Sequence, residues 1–363
     1  GANIDGNYNA AFGAYSLDAN TTADNNTAVG YGALGANTTA DNNTAVGYNA
    51  LVLNTTGTQN VAVGAYALDA ASTVSNNIAI GYRALGGTTT GNENVSIGTD
   101  SMLDNTTGAG NTSVGMESLA NNTTAGQNTA VGKQALNTNT TGGNNTALGY
   151  QALRLNATTS NNVAVGAGSL YNNVAASNTA VGYEALNANT TGTQNTAVGA
   201  AALDANTGAS EVTAVGWNSL GANTTGASNT AFGKSALASN STGVQNTGIG
   251  VSAISANSTA SYNTALGYDA LSSSNTAYNT AVGFSSLATN ASGTNNTAVG
   301  AYALDATDDG GSNTAVGYAA LSANCGDSNT AFGNIALTLC TGASNVGVGS
   351  SCLGSAADAD SNT

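Results

Sequence analysis

The sequence predicts an all-β fold, a parallel β-solenoid (β-roll) of about 21 turns, on three observations. One glycine, preceded by a small residue and then an aliphatic or Phe, recurs 21 times, from Gly13, Gly30 and Gly47 through to Gly317, Gly333 and Gly349. Successive copies stand 17 residues apart, with four intervals of 16. Proline is absent from all 363 residues, as expected where nearly every backbone N–H donates to a ladder. No linker or composition break interrupts the pattern, so residues 1–363 read as one continuous array. Neither end carries an atypical polar cap: Gly1–Gly6 enter in mid-repeat and Asn362-Thr363 begin another. Continuation of the array, by further sequence or by end-to-end stacking, is the expectation.

With the glycine as position 0, each unit reads roughly Asn-Thr-Ala-Val-Gly-Tyr-x-Ala-Leu-x-Ala-Asn-Thr-Thr-Gly-x-x. Such a unit is too short for a helix pair and suits a turn carrying two short strands. Asn holds position −4 in 20 of 21 units, Val212 being the exception, and predicts an amide ladder between turns. Positions −3 (mostly Thr, with Val or Ile substituting) and −1 (Val, Ile, Leu or Phe) share one strand face. Position +4 is Leu in 19 units, with Met102 and Ile254 in the others, and is expected to be core. Position −2 admits only Ala, Ser or Gly, so something must lie close against that face too. Either the coil is very flat or the −2 face packs on another chain. The small interior of one turn favours the second, and with it a homo-oligomer or end-to-end filament. Length variation falls between the Leu column and the next Asn, which marks that segment as the exposed turn.

The remaining motifs are surface expectations. Asn at +7 opens an Asn-x-Ser/Thr sequon at Asn20, Asn37, Asn54, Asn105, Asn122 and Asn139. The series continues at Asn156, Asn189, Asn223, Asn240, Asn257 and Asn290, making these candidate glycosylation sites. Against that reading, Asn and Thr are simply good turn residues. Position +1 is aromatic at Tyr31, Tyr48, Tyr82, Tyr150, Tyr183, Trp217, Tyr268, Phe284 and Tyr318, yet also accepts Lys133 and Lys234. An exposed aromatic strip follows, stacked from rung to rung and open to sugars or a neighbouring fibre. Cys325 and Cys340 fall at nearly stacked positions in neighbouring turns, where a disulfide is expected, with an oxidising setting.

Composition excludes several functions. With no His there is no catalytic imidazole or His metal site. Four basic residues against 19 acidic ones, net −15, cannot neutralise a phosphate backbone, so nucleic acid is not a partner. No apolar run approaches the roughly 20 residues of a membrane span, so membrane insertion is not expected. No cofactor or metal motif is present; Asp308-Asp309-Gly310 and Asp358-Ala359-Asp360 read as solvated acidic turns rather than a calcium repeat. No enzymatic activity is expected.

Asn76-Asn77-Ile78-Ala79-Ile80-Gly81 and Gln59-Asn60-Val61-Ala62-Val63-Gly64 resemble the N-S-V-A-I-G motif of trimeric autotransporter adhesin heads. The chain is also similar to the N-T-A-V-G-Y arrays of some phage tail fibres and bacterial surface fibres. That resemblance implies a left-handed β-roll, three chains about one axis, and an extracellular or virion-surface setting. The unit here is longer than in adhesin heads, the extra residues lying in the Asn-Thr-Thr-Gly loop. The expected function is a non-enzymatic extracellular structural fibre or filament segment, glycosylated at its turns. The alternative is an adhesin head or tail-fibre shaft that recognises a cell-surface receptor or glycan.

Overall fold

A computed structural model describes residues 5–354 and 360–362. Asp358 and the first four residues lie outside that set, so the expectations about the chain ends and about the Asp358 turn do too. The chain forms two compact units, residues 1–178 and 179–363. In the first, ten strands run from β1 (Ala10–Phe12) to β10 (Val163–Val165). In the second, eleven run from β11 (Thr179–Val181) to β21 (Val346–Val348). Within each unit every strand pairs in parallel with its successor, one repeat on and in strict register. Thr44 faces Val61, Ala45 faces Ala62 and Val46 faces Val63 in the first unit. Thr196, Ala197 and Val198 face Thr213, Ala214 and Val215 in the second. The predicted β-solenoid with its 17-residue repeat is therefore the fold.

Each turn has one strand of three residues, not the two strands expected. The rest of the turn is held by turn-to-turn backbone bonds but is not extended, because its dihedrals alternate in sign. In the Gly47 turn Asn49 and Leu51 have φ of 53° and 52°. A leucine in the left-handed region is strained by about 1–3 kcal/mol. Here that conformation turns the side chain inward, where Leu51 is fully buried, and lets its N–H donate to Ala67 O at 3.0 Å. Burying a leucine contributes about 1.5–3 kcal/mol, enough to offset the strain. Position 0 needs glycine for a second reason: Gly47 has φ +144°, and a Cβ there would lie 2.4 Å from Gly64 O in the next turn.

Which strand face is inside differs from the sequence expectation. Ala45, Ala62 and Ala197, all at −2, are completely buried within their own coil, whereas Thr44 and Val46 are half-exposed. The interior between strand and Leu column is one small side chain and one leucine thick. At Gly248, also a −2 position, an added Cβ would sit 3.3 Å from Leu237 Cγ. A lysine or glutamine could not fit, which explains the restriction to Ala, Ser and Gly. The coil is very flat, and no second chain is needed to bury the −2 column.

Candidate functional surfaces

The two asparagine columns are internal. At −4, Asn43 Oδ1 accepts the backbone N–H of Asn60 at 3.0 Å, and Asn60 Oδ1 that of Asn77 at 3.0 Å. Asn43 Nδ2 donates to Gly57 O at 2.9 Å. That carbonyl also accepts from Asn54 Nδ2 at 2.9 Å, so one buried oxygen ties both columns together. The expected −4 ladder is present.

The sequon asparagines at +7 form a second ladder and not a surface row, which corrects the glycosylation expectation. Asn20, Asn37, Asn54, Asn105, Asn122 and Asn139 are buried, as are Asn156, Asn189, Asn223, Asn240, Asn257 and Asn290. Asn122 Nδ2 donates to Asn105 Oδ1 at 2.8 Å, and Asn139 Nδ2 to Asn122 Oδ1 at 2.9 Å. An N-linked sugar needs that nitrogen in solvent, so it cannot coexist with the folded turn. The threonine after each Asn joins the framework too: Thr123 Oγ1 donates to Thr140 O at 3.0 Å. Length variation does fall in this segment. In the 16-residue turn after Gly166, Asn173 Nδ2 reaches Ala175 O two residues on, where Asn54 reaches Gly57 three on.

The aromatic strip is exposed and stacked. Tyr31 and Tyr48 lie parallel with centroids 5.3 Å apart, and Tyr48–Tyr66 and Tyr66–Tyr82 continue edge-to-face. In the second unit Tyr268–Phe284 is stacked at 5.4 Å, and Phe284–Tyr302–Tyr318 continue edge-to-face. Each contact adds about 0.5–1.5 kcal/mol. Tyr150, Tyr183 and Trp217 are exposed, and the ring pairs found among the described residues do not include them. Lys234 Nζ lies 5.4 Å from the Trp217 ring centroid. The hydroxyl of Tyr183, hydrogen-bonded to Glu184, is held above the usual phenol range.

The cysteines are adjacent in the fold but unbonded. Cys325 and Cys340 are buried free thiols, so the expected disulfide is absent from this structure. Cys325 Sγ lies 3.4 Å from Thr307 Oγ1, while Cys340 Sγ accepts from Asn345 Nδ2 at 3.2 Å. Burial pushes both thiols up, Cys325 also feeling the neighbouring Cys340. They substitute for the amide ladder near the end of the second unit. Among the described residues no group of three or more Cys, Asp or Glu is placed to hold a metal. Among the described residues no helix is long and apolar enough to cross a membrane.

What remains is the outward sheet face, formed by positions −3 and −1. Position −1 is aliphatic or Phe in all 21 repeats, although it is outside. Val29, Ile80, Leu148, Val198, Phe232 and Leu266 are all exposed large hydrophobics. Neither column contains a charge in a chain of net −15. In each unit this is a strip about 10 Å wide and about 50 Å long, bordered on one side by the glycine column and the +1 aromatic column.

The fold and this surface define a tandem-repeat β-solenoid whose coil closes on itself and leaves one flat, charge-free sheet face outside. No family model and no curated protein sequence matches the chain.

Proposed function

We propose that the chain is a non-enzymatic structural segment of an extracellular fibre, and that copies associate through the outward sheet face. One observation carries the reading: position −1 never admits a polar residue in 21 repeats, although the coil does not bury it. Contiguous exposed apolar surface of this kind marks an interaction site. Net charge −15 repels copies elsewhere on the surface, and a charge-free strip is where that repulsion is least. The projected area of the strip is about 500 Å² per unit, below the roughly 800 Å² per partner of a standard interface. Association therefore strengthens with the number of turns aligned, as suits a long fibre. The extracellular setting rests on the resemblance to adhesin heads and surface fibres.

The test is assembly state. Light scattering and electron microscopy should show oligomers or filaments for the unmodified chain. Val198→Lys with Val215→Lys should leave smaller species whose circular dichroism is unchanged. A wild-type chain that stays monomeric at high concentration would overturn the proposal.

A further inference from the structure

The first unit carries a notch that its sequence makes only once. At positions +5 and +6, where other repeats carry at least one side chain, one turn has Gly86-Gly87. The flanking turns place Asp69 on one side and Leu103 and Asp104 on the other, leaving a cleft of about 470 Å³. That volume lies within the range of small-molecule sites. Over the notch stands Arg83, the sole basic residue in the +2 column. Its Nη1 is 3.6 Å from Asp100 Oδ1, and its Cζ is 5.9 Å from the Tyr82 ring centroid. Tyr66 and Tyr82 form the apolar wall, with ring planes at 87° and centroids 6.1 Å apart.

The chemistry of the lining selects the ligand. Asp69 and Asp104 offer acceptors, Arg83 offers donors, and two tyrosines offer ring surface beside Leu103. An anion would face two carboxylates, and a cation would face the guanidinium. A neutral polyhydroxylated ring both donates and accepts, and has apolar C–H faces to set against tyrosine. From this juxtaposition of Asp69, Arg83, Tyr82 and the Gly86-Gly87 gap, we infer that the cleft is a binding site for a neutral pyranose sugar. This goes beyond the fibre reading and does not depend on it, since the cleft lies off the outward sheet face. Burial pushes the Asp69 carboxyl above the usual range, with Arg83 opposing.

The second unit contains an incomplete copy. Ala301-Tyr302-Ala303-Leu304-Asp305-Ala306 repeats Ala65-Tyr66-Ala67-Leu68-Asp69-Ala70, and Tyr318 follows as Tyr82 does. There Ala319 replaces Arg83, and Ser322-Ala323 replace the two glycines, so the donor and the gap are both missing. It serves as an internal control.

The experiment is saturation-transfer NMR on the full chain with methyl glycosides of glucose, galactose and mannose. At least one should show transfer from the wild type. Arg83→Ala, at an exposed side chain, should weaken binding about tenfold or more through loss of a charged donor. Gly86→Leu should abolish it by filling the cleft. Its Cβ would meet only ordinary-to-tight neighbours, at 3.3–3.4 Å, and Leu103 already occupies the same column in the next turn. Tyr318→Ala should bind as the wild type does. The inference is overturned if no neutral glycoside binds, or if binding survives in Arg83→Ala. It is equally overturned if Tyr318→Ala abolishes binding while Arg83→Ala does not. Should Gly86→Leu fail to fold by circular dichroism, the Arg83→Ala and Tyr318→Ala pair decides.

Discussion

Asn122→Ala separates an internal amide ladder from a glycan acceptor, because the two roles predict opposite results. In the fold, Asn122 Nδ2 donates to Asn105 Oδ1 at 2.8 Å and to Ala125 O at 3.0 Å. Its Oδ1 accepts from Asn139 Nδ2 at 2.9 Å. Ala125 O keeps a second donor, Asn111 Nδ2 at 2.9 Å, and Asn139 Nδ2 keeps Gly142 O at 2.9 Å. The substitution therefore strands one carboxamide oxygen and one amide hydrogen in a dry interior. At about 1–3 kcal/mol for each unsatisfied buried group, the local loss is about 2–6 kcal/mol. Stacked turns open locally rather than all at once, so global melting is a poor readout. Hydrogen exchange by mass spectrometry should show protection over residues 105–142 falling by a factor between about 30 and about 25,000. Peptides several turns away should change little. Asn121→Ala, at an exposed neighbour, should leave exchange as it was. Equal exchange in the two variants, or a sugar found on Asn122 of folded protein, would refute the ladder.

Three further outcomes follow from the same geometry. Ala197→Lys places an ammonium in a fully buried slot and should unfold the surrounding turns whether or not chains assemble. Val198→Lys, one residue on and 37% exposed, should fold and alter only assembly. Gly47→Ala should lose at least the roughly 1–3 kcal/mol of strain attached to its φ of +144°. The clash with Gly64 O adds to that loss, which urea unfolding followed by exchange over the adjoining turns will register. Raised thiol pKa values make the end of the second unit sensitive to alkali. An unfolded thiol titrates near 9.0, while burial holds the folded one higher. Between those values the folded state binds more protons, so stability falls as pH rises. The rate of limited proteolysis within residues 325–345 should rise more between pH 8 and pH 10 in the wild type than in Cys325→Ser with Cys340→Ser. Equal rises would show that the thiols are not the cause.

Much of this molecule was legible in one dimension. The 17-residue step gave the turn length and the strict register, because equivalent residues of stacked turns have to coincide. The −4 asparagines announced a ladder by their near invariance, and the +1 aromatics announced a stacked strip by tolerating lysine among tyrosines. The buried +7 ladder is not legible in the sequence because Asn-Thr-Thr-Gly is also turn chemistry; composition alone does not say which way a carboxamide points. The repeat columns make Cys325 and Cys340 neighbours, but a column position does not set the sulfur geometry a bond requires. The Gly86-Gly87 notch had a signal, the sole Gly-Gly at +5 and +6, though a gap gains meaning only from its walls.

From its sequence alone this protein was bound to be a repetitive, proline-free parallel β array with a leucine spine and little charge. Period 2 along a strand sorts −3 and −1 from −2, but does not say which set faces inward. The tertiary structure decided that. Left-handed backbone at +2 and +4 swings each leucine to within one small side chain of the strand, so the −2 column must be interior. The aliphatic −1 column is left outside, and the surface that best accounts for a fibre is thus set by the sign of a few φ angles.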